Sequence, residues 1–140
     1  MANKTIHYQL CGLDYVYLII PVSKTSHGEE YIDLPMGVID RAIATKLIEE
    51  RVPVRGSEVI FLRKALGMTL SRWGKELGLS PAGILKWEKG HKRRLSRVNE
   101  AAVRAFCAEQ LGVDLTGKWS DLVALNSTPK RLSLKIKDAA

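Results

Sequence analysis

Two periodicities divide this chain. Residues 6–34 carry short runs rich in aromatic and β-branched residues, HYQLC and YVYLIIPV, the composition of strands. Gly12, Leu13 and Asp14 between them suit a hairpin turn, and Ser26, His27 and Gly28 punctuate again before a third strand in EYIDL. Pro35 stops that strand. Three short strands need a cover on one face, and residues 38–50 supply it. There Ile39, Ile43, Leu47 and Ile48 recur at helical spacing, while Arg41, Lys46, Glu49 and Glu50 fall on the water side. Pro53 and Gly56 mark a short connector, where a domain boundary is expected.

From Ser57 the pattern is helical. Ser57 is the expected N-cap of EVIFLRKAL, whose Val59, Leu62 and Leu66 form an inward stripe joined by Ile60 or Phe61, and Gly67 ends it. Thr69 caps the next helix. Ser96 or Asn99 opens a later one that runs to Leu111, with Val103 and Phe106 apolar and Gly112 closing it. Thr116 or Ser120 is expected to cap a short helix through Trp119, Leu122 and Val123. After Pro129, RLSLKIK alternates Leu132, Leu134 and Ile136 with Ser133, Lys135 and Lys137, the period of a half-buried strand. That strand could join the N-terminal sheet, pair with a second subunit or remain a basic tail. The expected class is therefore α+β: a β-containing unit at 1–52, a mainly helical unit at 57–112, and a short helix and strand in 113–140.

Charge sharpens this division. The net charge is +7, yet up to Gly56 six basic residues face seven acidic ones, so the excess lies wholly after Gly56. A basic surface of that kind favours a polyanion partner. No apolar run approaches the roughly 20 residues that span a bilayer, and MANKTIHYQL lacks the layout of a signal peptide, so cytoplasm is the expected compartment. The two cysteines, Cys11 and Cys107, have no partner at metal spacing, and His7, His27 and His91 are scattered. Neither a metal, a cofactor nor an enzymatic activity is expected.

One stretch is more specific than the rest. In LSRWGKELGLSPAGILKWEKG, residues 70–90, Gly74 stands fifth, Gly78 ninth and Ile84 fifteenth, with Trp73, Leu77, Leu79 and Trp87 apolar between them. A small fifth residue lets two steeply crossed helices approach. A ninth glycine lets the chain leave the first helix in a left-handed conformation. Ser80 supplies a hydroxyl cap, and Pro81 takes the first helical position, where a missing N–H does no harm. Ile84 and Trp87 return the second helix to the core.

With Leu66 and Gly67 before it, this run resembles the Cro/λ-repressor, or Xre-type, helix-turn-helix, on the evidence of Leu77, Gly78, Ser80, Ile84, Trp87, Glu88 and Gly90. The resemblance implies a recognition helix at about 81–89 in the major groove of double-stranded DNA. It brings Ser80, Pro81, Ala82, Gly83, Leu85 and Lys86 to the groove, with Ser71 and Arg72 of the preceding helix close by. Only Lys86 among the groove residues offers a long polar side chain for base edges. Lys89, Lys92, Arg93 and Arg94 follow directly and are placed for phosphates, with Arg97 next in the run and Lys64 a further candidate. The resemblance also implies that Glu88 pairs with Arg63 inside the fold.

The order of the N-terminal strands, the helix and FLRKALGMT is similar to the layout of MqsA/YgiT-type antitoxins, although the two CxxC pairs that hold zinc there are missing, so no metal site carries over. Three readings follow: a regulator acting as a homodimer on two-fold DNA sites; an antitoxin that represses its own operon and meets a toxin through its N-terminal unit; and an interaction scaffold that does not bind DNA.

Overall fold

The computed structural model describes residues 3–115, 117–123 and 127–136. Within them the chain is α+β, with a small four-stranded sheet and six helices. The strands are β1 (Asn3–Leu10), β2 (Leu13–Lys24), β3 (Glu30–Ile32) and β4 (Leu132–Lys135). The helices are α1 (Met36–Glu49), α2 (Gly56–Ala65), α3 (Leu70–Leu77), α4 (Pro81–Lys89), α5 (Arg97–Leu111) and α6 (Trp119–Leu122).

β2 is the strand to which the other three attach. β1 pairs with it antiparallel from Asn3↔Pro21 to Leu10↔Leu13, and β3 pairs antiparallel with its last three residues. The β1–β2 turn is made by Cys11 and Gly12, both at positive φ, and not by the segment ending at Asp14 that composition suggested. Leu13 and Asp14 already belong to the strand. A two-residue turn with both residues left-handed matches the twist of a hairpin, which a longer turn would waste.

β4 runs parallel to β2, from Val16↔Leu132 to Ile19↔Lys135. The alternation in RLSLKIK is thus that of a strand in the N-terminal sheet. Leu132 and Leu134 are buried opposite Val16 and Leu18, while Ser133 and Lys135 face solvent. On that outer face Tyr17 stacks on His7 with ring centroids 4.3 Å apart, and the Arg131 guanidinium lies 4.0 Å from the same ring's centroid. Lys137 lies outside the described residues.

The inner face meets the helices through both apolar and polar groups. Tyr8 packs edge-on against Phe61 of α2 and donates its hydroxyl to the Asp40 carboxylate of α1. Tyr15 donates to Glu58 over 3.0 Å, and Glu58 also receives Arg55 at 2.7 Å. α1 buries Ile39, Ile43, Leu47 and Ile48, the stripe read from sequence. The segment between α1 and α2 is part of the interior. Val52 and Val54 are buried, the Val54 amide donates to Glu100 of α5 at 2.8 Å, and Arg104 of α5 donates to the Val52 carbonyl at 3.0 Å. One cluster of buried side chains runs from Tyr8 and Val16 through α1, α2, α3 and α5 to Ile136.

Two caps differ from expectation and a third is decided between alternatives. α2 begins at Gly56 with Arg55 before it, and Ser57 lies inside the first turn. The Arg55 amide is satisfied by the Glu58 carboxylate at 2.9 Å, which frees the Ser57 hydroxyl for another partner. Lys118 precedes α6, so Ser120 lies within that helix and does not cap it, and Thr116 lies outside the described residues. At α5 the choice between two caps resolves to Ser96, whose Oγ accepts from the Asn99 amide at 3.2 Å.

Candidate nucleic-acid interface

α3 and α4 form a short, tightly turned pair whose geometry follows from few residues. The Thr69 hydroxyl accepts the Arg72 amide at 3.1 Å and starts α3. Gly78 ends it at φ 71°, where a side chain would strain the backbone. Two residues later Ser80 caps α4 by accepting the Gly83 amide at 3.1 Å, and Pro81 opens the helix. Gly74 is required for a reason other than helix-on-helix contact. A β-carbon there would lie 2.4 Å from the Leu79 carbonyl oxygen, so it is the turn that folds back onto α3. The Leu79 amide donates to the Gly74 carbonyl at 2.7 Å and fixes that approach.

The inner face of α4 is locked. Ile84 is fully buried, and Glu88 receives a two-pronged contact from Arg63 of α2, at 2.7 and 3.0 Å. The remaining Arg63 nitrogen donates to the Met68 carbonyl at 3.0 Å, so one side chain ties α2, its C-terminal turn and α4 together. Hydrogen bonding to Glu88 raises the Arg63 pKa above its ordinary value, so the guanidinium stays charged. Trp73 of α3 is fully buried, with Phe106 of α5 edge-on at 5.9 Å. Leu77 and Trp87 are half-buried.

The outer face of α4 is open. Pro81, Ala82, Leu85, Lys86 and Lys89 are exposed, and Gly83 is partly so. Leu85 is 38 % exposed although it is a large aliphatic residue on a packed helix. Ser71, Arg72 and Ser80 are exposed beside this face, at the first turn of α3 and the cap of α4.

Beyond α4 the chain is pinned to the start of α2. The Ser57 amide and hydroxyl both donate to the His91 carbonyl, at 3.1 and 2.9 Å, and the Gly56 amide donates to that of Arg93 at 3.3 Å. The Leu95 amide donates to Val54 at 2.9 Å. These bonds hold the 90–95 segment in one shape while Lys92 and Arg93 stay exposed. Arg94 differs from its neighbours: its guanidinium donates to the buried Glu100 carboxylate at 3.3 Å. Its charge is therefore partly matched inside the fold, unlike those of Lys89, Lys92 and Arg93. Arg97 begins α5 and is exposed, as is Lys64 on α2.

Glu58, Glu100 and Arg104 were not singled out by sequence, yet they carry the internal polar frame behind this surface. Arg104 is fully buried between the Val52 and Leu122 carbonyls, and burial lowers its pKa. Glu58 has a legible signal, the third-residue carboxylate of a capping arrangement. Glu100 and Arg104 read as ordinary charged helix positions, since the Val54 amide and Val52 carbonyl that they hold lie 46 and 52 positions away.

Among the described residues no group of three or more His, Cys, Asp or Glu is placed to hold a metal ion, and no helix is long and apolar enough to cross a membrane. Cys11 and Cys107 are free thiols. Comparison with known protein families, with curated proteins and with solved structures returns no match to this chain.

Proposed function

We propose that this chain is a DNA-binding transcriptional regulator, with α3 and α4 as a helix-turn-helix of the Cro/λ-repressor kind. The observation that carries the reading is the two-sidedness of α4. Its inner face is fixed by Ile84 and the Arg63–Glu88 pair, and its outer face leaves Pro81, Ala82, Leu85, Lys86 and Lys89 uncovered. A helix held this rigidly, with an open face and a pinned basic segment beyond it, suits entry into a major groove. α4 offers little for hydrogen-bond readout. Pro81, Ala82 and Gly83 bring no polar side chain, so Lys86 is the base-reading candidate and Ala82 and Leu85 suit thymine methyls. Lys89, Lys92 and Arg93 take phosphates, with Ser71, Arg72 and Ser80 at the opposite edge. One such helix reads few base pairs, so the working form is a homodimer on a two-fold site. A monomer by light scattering, with and without DNA, would refute that assembly.

The test is a salt titration of binding to a selected duplex and to a scrambled one. Alanine at Lys89, Lys92 or Arg93 should weaken both duplexes about equally and flatten the log–log salt slope by about 0.9 per lost contact. Alanine at Arg94 should do less, because its guanidinium already serves Glu100. Lys86→Ala should cost about 1–3 kcal/mol on the selected site and less on the scrambled one. If the triple variant at Lys89, Lys92 and Arg93 binds both duplexes like the parent, this face does not meet DNA.

A further inference from the structure

A cavity of about 390 Å³ lies where the end of α1 meets the segment leading into β4, on elements not assigned to DNA. We propose that it is a binding site for a small organic anion with an apolar body.

The walls divide by chemistry. Val52, Pro53 and Leu132 are buried and make an apolar side. Ser127, Thr128 and Lys130 make the polar side, and among the described residues none of the three has a hydrogen bond or ion pair. Two hydroxyls and an ammonium without partners are what a carboxylate or phosphate head needs. The volume falls in the range of small-molecule sites, roughly 300–1,000 Å³.

Charge points the same way. The one carboxylate in the lining, Glu50, is held by Lys46 at 3.0 Å, so it does not oppose an anion at full strength. Arg51 also lines the cavity, with its charge matched by Asp121. It follows the C-cap of α1 at φ 52°, a conformation that costs a residue with a β-carbon about 1 kcal/mol and that glycine would take freely. Its guanidinium donates to the Ser120 carbonyl at 2.8 Å and approaches Asp121 at 3.7 Å, so the strained residue also fixes α6 against this corner. The wall is thereby rigid on one side, and the ammonium that faces no partner is on the other.

The intact protein, without DNA, is titrated with sodium benzoate and, separately, with benzamide as its neutral isostere, at constant ionic strength, by amide NMR. Benzoate should give saturable shifts at Arg51, Val52, Thr128 and Lys130, and should bind about tenfold more tightly than benzamide. Lys130→Gln should remove that preference. Lys130 is exposed, so the substitution leaves the core intact. The comparison on the parent protein stands even if the variant does not fold. Failure to saturate, equal affinity for the two compounds, a preference that survives in Lys130→Gln, or shifts centred on Lys92 and Arg93 would each overturn the proposal. None of these outcomes depends on DNA binding.

Discussion

A β-carbon on Gly56 would sit 2.3 Å from the Trp87 carbonyl oxygen and 2.6 Å from that of Gly90. Both are backbone atoms, so neither can swing aside, and α2 and the end of α4 would have to separate. Gly56→Ala should therefore lose about 1–3 kcal/mol of stability, read from the urea midpoint. Gly37, in the first turn of α1, has nothing within 4 Å of its would-be β-carbon. Gly37→Ala should instead gain about 0.5–1 kcal/mol by restricting the unfolded chain. If both substitutions destabilise alike, the contact between α2 and α4 is not what sets the cost. Cys107 gives a residue-scale dependence on pH. Burial pushes its thiol from 9.0 up to about 12, so the unfolded chain ionises first. The stability due to the neutral buried thiol is complete below about pH 9 and is lost as pH rises toward about 12. Cys107→Ala cannot titrate. Its stability deficit against the parent should be widest near pH 8 and should narrow at about pH 10.5. A deficit constant across that window would contradict the burial of the thiol.

Elements whose ends are set by neighbouring residues could be read from the chain. Thr69, Gly78, Ser80, Pro81, Ser96 and Gly112 each act within four residues of their own position, and each stands where the capping pattern put it. The stripe of Ile39, Ile43, Leu47 and Ile48 was legible for the same reason, because a helical face repeats over one turn. Ser57 shows the limit. A hydroxyl before EVIFLRKAL satisfies the local rule for a cap, but the Glu58 carboxylate takes the Arg55 amide and the hydroxyl goes to His91, 34 positions away. The Glu58 carboxylate is a local signal, but nothing within one turn of Ser57 encodes the His91 partner. β4 shows the limit at the next scale. Its alternation announced a strand, whereas its parallel place beside β2 depends on the packing of everything between them. At α4 the cap, the core residue and the open face were legible. The pinning of residues 90–95, and the loss of Arg94 to Glu100, were not, because both depend on where α2 and α5 come to rest.

Whether the two halves of the chain are separate folding units is a question about the whole molecule, and the contacts between them bear on it. Composition suggested a boundary near Pro53, yet Val52 and Val54 are buried there and bonded to Arg104 and Glu100. Tyr15 of β2 bonds Glu58 of α2, and Tyr8 of β1 touches both Phe61 and Asp40. Removing the sheet would leave Glu58 and the apolar side of α2 facing water, and removing α5 would leave the Val54 amide and Val52 carbonyl without their partners. Unsatisfied buried polar groups cost about 1–3 kcal/mol each, a large part of the stability of a domain this size. The sheet and the helices should therefore unfold in one transition. All three tryptophans, Trp73, Trp87 and Trp119, lie after α2, so their fluorescence reports on the helical part. Amide exchange at Leu18 and Ile20, fully buried in β2, reports on the sheet. In a urea series the free energy from fluorescence and that from exchange at those two amides should agree within about 1 kcal/mol. A sheet that opens at much lower free energy while the tryptophan signal is unchanged would mean that the Tyr15–Glu58 and Val54–Glu100 contacts do not couple the halves, and that the boundary near Pro53 divides two independent domains.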